Sequence, residues 1–111
     1  MKPWSSEYAD KKASEIVRKK NPICVRCKIN PGTDCSHFYE RGHSSVRFDM
    51  RNLDAVCRQC HFLWEGRRNG YKEYKLQQLG KTFIDFQRLA YMTMKREEAI
   101  LRFMKQMETA Q

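Results

Sequence analysis

Two Cys-x-x-Cys pairs, Cys24/Cys27 and Cys57/Cys60, constrain this chain more than any other feature. A two-residue spacer turns both sulfurs of a pair toward one point. Two such pairs supply the four thiolates of a tetrahedral zinc site, with Zn–S near ~2.3 Å. The pairs must then meet in space, so the 29 residues from Lys28 to Val56 have to leave the first and return to the second. That span is longer than a plain zinc-ribbon insert, and something must be built within it. Two other chemistries fit the second pair taken alone. Attachment of a c-type haem would use Cys57 to His61, but it requires export and leaves Cys24 and Cys27 without a role. A thioredoxin-like redox pair needs a βαβ setting, which the pattern lacks. The structural zinc site uses all four thiols, and Cys35, the fifth cysteine, reads as a small buried residue.

A metal staple also suits the size. At 111 residues the chain is one domain with a modest core. Its formal charge of +9 points to a polyanionic partner, with nucleic acid first, although a solvated basic surface is the plainer reading. The basic residues are spread along the chain rather than gathered in a tail. No stretch approaches the ~20 apolar residues that span a bilayer, and MKPWSSEYADKK has no apolar signal core. These features predict an intracellular, cytoplasmic protein with reduced thiols and no membrane partner.

Local patterning divides the chain into an N-terminal helix over 1–21, a core over 22–66 and C-terminal helices over 71–109. Ser5 or Ser6 can cap a helix running to Lys20, with Tyr8, Ala9, Ala13, Ile16 and Val17 as its apolar stripe and Asn21-Pro22 as its stop. SHFYERG and SSVRFDM, rich in aromatic and β-branched residues, read as two strands of an irregular hairpin around Gly42-His43. A helix is expected from about Leu53 to Trp64, interrupted by GRRNG. YKEYKLQQLG reads as a short helix ended by Gly80. Thr82 to Met107 reads as one long helix, capped by Thr82 with Asp85. Its stripe of Phe83, Phe86, Leu89, Ala90, Met94, Ile100, Leu101, Met104 and Met107 is core or a dimer seam. The expected class is α+β.

Between and around the knuckles lie His37 on the first expected strand, Asn52 after the second and His61 directly after Cys60. Histidine, asparagine and histidine in that order, framed by two CxxC pairs, resemble the zinc-knuckle branch of the HNH endonucleases. More narrowly, SHFYERGHSSVRFDMRNLDAVCRQCHFLWEG followed by YKEYKLQQLG resembles the phage recombination nucleases called NinG or Rap, over roughly Cys24 to Gly80. The resemblance implies a ββα-metal core and a metal-dependent DNA endonuclease acting on branched, nicked or recombination DNA.

It also implies roles. His37 is the candidate base, since an imidazole titrating near ~6.5 is suited to take a proton from water. His61 is the candidate ligand from the helix for Mg²⁺ or Mn²⁺. Asn52 holds the loop and orients His37 through the backbone. The residue before the base, Asp or His in most such sites, is Ser36 here, a poor sole anchor for Mg²⁺. Asp34, His43 or Asp49 is left to supply the missing donor, with Asp49 favoured for its closeness to Asn52; otherwise His37 is itself a ligand. Arg41, Arg47, Arg51, Arg58, Arg67 and Arg68 are the candidate phosphate contacts.

Each residue has a plainer reading. His37 is then a structural strand histidine, His61 a replacement zinc ligand and Asn52 a helix cap. His43 becomes a turn residue, and Asp49 pairs with Arg47 or Arg51. A zinc-stapled nucleic-acid binder without catalysis, or a helical assembly factor, are the competing functions.

Overall fold

Residues 2–109 are described by a computed structural model. Helix α1, Ser6–Lys20, starts where the Ser5 hydroxyl oxygen accepts the Tyr8 N–H at 3.1 Å, and stops where the Asn21 N–H bonds the Val17 carbonyl at 3.0 Å. Glu7 in its first turn and Arg18, Lys19 and Lys20 in its last complement the helix dipole. Ala9, Ala13 and Val17, four apart, form its buried line, while Tyr8 stays 43% exposed. Small side chains along that line let α1 lie close to the sheet.

The sheet differs from the expected hairpin. Strand β1 is Asp34–His37 and strand β2 is Leu53–Val56, antiparallel, with Asp34 opposite Val56 and His37 opposite Leu53. The segments read as strands, SHFYERG and SSVRFDM, are mostly irregular and contain the 3-10 turns Ser44–Val46 and Met50–Asn52. Their Phe38, Val46 and Phe48 are buried, so the apolar signal came from burial and not from pairing. The true second strand was hidden because all four of its residues are buried, Asp54 among them, so it shows no alternation of an apolar inner face with a polar outer one. Leu53 and Ala55 join one core cluster, whereas Val56 joins the other. At Gly32 the chain crosses so near β2 that a Cβ would meet the Ala55 Cβ and the Asn21 carbonyl oxygen, each at 3.1 Å.

Helix α2, Arg58–Gly66, therefore begins later than expected, after β2. Helix α3, Arg68–Leu79, comes after a single residue, so GRRNG bends the helical path rather than opening a loop. Gly80, at φ 55, closes α3. Thr82 does not cap the next helix: its hydroxyl donates to the Leu79 carbonyl at 2.6 Å. The expected long helix is two, α4 at Phe83–Ala90 and α5 at Arg96–Thr109. Unbroken over 82–107 it would run roughly 39 Å, nearly the molecule's 41 Å long axis, with one face for both cores. The break instead sends Phe83, Phe86 and Ala90 to the cluster around Trp64 and Tyr71. Ala99, Ile100, Phe103 and Met104 go to the cluster with α1. The stripe offered as a dimer seam is thus mostly spent inside the chain.

The result is an α+β fold in which, among the described residues, five α-helices surround a two-stranded sheet. None of these helices is long and apolar enough to cross a membrane. Between the sheet and α3 lies a buried polar knot. The Tyr71 hydroxyl donates to Asp54 Oδ2 at 2.6 Å, and Lys75 Nζ donates to Asp54 Oδ1 at 3.0 Å, to the Arg51 carbonyl at 2.6 Å and to Gln78 Oε1 at 2.8 Å. Burial raises the Asp54 carboxyl pKa and lowers that of Lys75, each partly offset by the other's charge. Tyr71, Gln78 and the Arg51 carbonyl supply the additional hydrogen bonds that a buried pair of this kind needs.

Candidate functional site

The first cysteine pair sits on a tight knuckle. The Cys24 N–H bonds the Asn30 carbonyl at 2.8 Å, and the Lys28 N–H returns to the Cys24 carbonyl at 2.9 Å. Lys28 itself takes φ 60 to make the turn. The second pair opens α2, with Cys57 at its N-cap and Cys60 in its first turn, where the positive helix end favours thiolates. The Val25 N–H bonds the Ala55 carbonyl at 3.0 Å and so ties the knuckle to the end of β2.

The four sulfurs of Cys24, Cys27, Cys57 and Cys60 lie within 4.8 Å of one another, positioned to bind one metal ion. Sulfurs at tetrahedral corners about 2.3 Å from a zinc ion would stand about 3.8 Å apart, so the set contracts only slightly to fit. Arg26 Nη1 approaches Cys60 Sγ at 3.4 Å and Asn30 Nδ2 approaches Cys57 Sγ at 3.8 Å, donors that temper thiolate charge. Backbone N–H groups of Asn30 and Ile29 pull the Cys27 thiol down to about 6, whereas burial pushes Cys60 up to about 12. Four thiols this close cannot all ionise without strong mutual repulsion, which a bound divalent cation would relieve. Cys35 stands apart, with burial raising its thiol to about 11.

Beside this centre, β1 and α2 border a cleft of about 690 Å³ whose wall includes Ser36, His37, Arg41, His61, Glu65 and Arg68. His37 comes from the end of β1 and His61 from the first turns of α2, so the sheet and the zinc-type knuckle together set their relation. Burial, and then the charge of Arg41, push the His37 imidazole down to about 4, which keeps it neutral at pH 7. His61 Nδ1 lies 3.1 Å from Asp34 Oδ2 and its Nε2 lies 3.3 Å from Glu65 Oε1. Burial alone would raise the Asp34 carboxyl, but the His61 hydrogen bond and the Arg58 charge outweigh it and hold it below its ordinary value.

Asp49 lies elsewhere. Its carboxylate accepts the Arg51 N–H at 2.9 Å and both guanidinium contacts at 3.0 and 2.7 Å, capping the Met50–Asn52 turn. Of the carboxylates expected from sequence, the one at His61 is Asp34. Ser36 is 2% exposed and faces Asp54 across the sheet. The His43 ring is turned to the Ala90 carbonyl, with Nδ1 at 2.9 Å. Asn52 is fully buried: its Oδ1 accepts the Tyr39 N–H at 2.7 Å, and its Nδ2 donates to the Tyr39 carbonyl at 3.0 Å. The Phe38 N–H bonds the Asn52 carbonyl at 2.9 Å, which clamps the chain directly after His37.

The six arginines separate. Arg47 is locked to Asp10 at 2.7 and 3.1 Å, and Arg51 to Asp49. Arg58 and Arg67 are exposed, as is Arg41, which lies 3.8 Å from Asp10. The Arg68 guanidinium lies over the Phe38 and Tyr71 rings and donates to the Phe38 carbonyl.

Glu65 was missed, although a position four residues beyond His61 on a helix was there to be seen. The Asp54–Lys75 pair left no local signal. No protein-family model, curated protein or solved structure matches this chain.

Proposed function

We propose that this chain is a metal-dependent DNA endonuclease of the ββα-metal type, stapled by a structural zinc ion on Cys24, Cys27, Cys57 and Cys60. The observation that carries the reading is that His37 from a strand end and His61 from the helix after the sheet line one cleft, with Asp34 on the second of them. Asn52 braces the backbone that presents the first.

In this reading the neutral His37 ring accepts a proton from the attacking water. Burial and the Arg41 charge hold it at about 4, so it is a weaker base than the imidazole near 6.5 expected from sequence. His61 with Asp34 would hold a hydrated Mg²⁺ or Mn²⁺, an ion that keeps several waters and takes few protein ligands, while Glu65 lies at the other ring nitrogen of His61. The chemistry such an ion would supply there is charge stabilisation at the phosphate and the leaving oxygen. Arg41, Arg58, Arg67 and Arg68 face the DNA backbone, which gives affinity without reading sequence. Selection of branched or nicked DNA is the substrate class that the family resemblance suggests.

One observation favours the alternative of a zinc-stapled binder without catalysis. Among the described residues the four cysteines are the one cluster of three or more donors that could share an ion, and Asp34 is also engaged by Arg58 at 3.1 Å.

Supercoiled plasmid and branched oligonucleotides incubated with Mg²⁺ or Mn²⁺ separate the two. Cleavage by the wild type, lowered at least about 100-fold in His37→Ala and in His61→Ala with DNA affinity retained, is the expected result. Binding without any cleavage by the wild type leaves the binder.

A further inference from the structure

Where one continuous helix was expected, the chain opens between α4 and α5 and faces the Gly42–Ser44 segment across a second pocket. This pocket has a volume of about 310 Å³ and is lined by Gly42, His43, Ser44, Tyr91, Met92 and Met94. That is the small end of ligand clefts, room for one ring system. Gly42 also lines the cleft holding His37 and His61, so the two share a wall.

Tyr91 is 69% exposed, yet its ring is braced. His43 meets it at 5.4 Å and 88°, and Tyr39 at 5.8 Å and 75°. Near-perpendicular contacts of this kind fix a ring without a stacked partner. His43 is pinned in turn, since its Nδ1 donates to the Ala90 carbonyl at 2.9 Å. Arg88, Lys95 and Arg96, all exposed, flank the turn in the chain. A held, exposed aromatic ring on a turn that exposed cationic residues flank in sequence is the chemistry that receives a base from single-stranded nucleic acid.

We propose that this pocket takes one unpaired nucleobase, stacked on Tyr91, from a strand whose phosphodiester lies in the adjoining cleft. The inference rests on the endonuclease reading and deepens it: fully paired duplex offers no free base, so the pocket selects DNA with an unpaired base, as in a bulge, a gap or the single-stranded arm of a branch.

The test measures affinity by fluorescence anisotropy, without added Mg²⁺ or Mn²⁺, for a duplex with a single-base bulge and the same duplex fully paired. The wild type should prefer the bulge. Tyr91→Ala should lose about five- to hundredfold on bulged DNA and little on paired DNA, and Tyr91→Trp should keep the preference. Equal binding of both duplexes by the wild type, or equal or no loss in Tyr91→Ala, overturns the base pocket while the endonuclease reading stands. No binding to any DNA overturns both.

Discussion

With the Asn52 carboxamide removed, the N–H and carbonyl of the half-buried Tyr39 lose a fully buried partner. A buried backbone group left unpaired costs ~1–3 kcal/mol, so Asn52→Ala should destabilise the protein by about 2–4 kcal/mol in urea unfolding. A loss below about 0.5 kcal/mol would mean that the clamp after His37 is not structural. The neighbouring residues show how far local reading reaches. Spacing placed Asn52 beside the histidines without showing which groups it would bond. Spacing also made Asp49 the favoured carboxylate because it is near in sequence. Its actual partner, Arg51, is nearer still, and a charged pair two residues apart closes a turn before any distant partner can compete. Asp34 reaches His61 only because β1 lies against α2.

At the scale of elements, α3 is held to β2 by one charged pair with no exposure to water, Lys75 at 0% and Asp54 at 2%. Lys75→Met keeps the bulk but leaves Asp54 as an unpaired buried carboxylate. The expected cost is about 3–5 kcal/mol, with Asp54→Asn in the same chain recovering part of it. Chemical denaturation of the two single variants and the double measures the coupling, and strictly additive losses would contradict it. Helix α1 was legible end to end, because its cap, stop and stripe are all within reach of one another in sequence. The C-terminal helices were legible as apolar and helical but not as two. Which of two cores a turn of helix faces depends on where those cores are.

For the whole molecule, the two apolar clusters are small and meet at a two-stranded sheet, and the cysteine quartet joins the first knuckle to α2 at the end of β2. In a chain of this size bound metal is a folding term. Elemental analysis should find one zinc ion per chain at this centre. Chelation should abolish the cooperative melt and much of the ordered structure seen by circular dichroism. An unchanged melting temperature in metal-free protein would show that the quartet is not a staple.

Sequence alone determined what depends on neighbours along the chain: α1 with its ends, the α+β class, and two cysteine pairs whose spacing suits one tetrahedral ion. Tertiary structure decided the pairing of 34–37 with 53–56, the meeting of Asp34 with His61, and the break that opens the Tyr91 turn. Each of these joins residues far apart in sequence or depends on which core a segment faces. Short buried runs look alike as strand or helix until their neighbours in space are known.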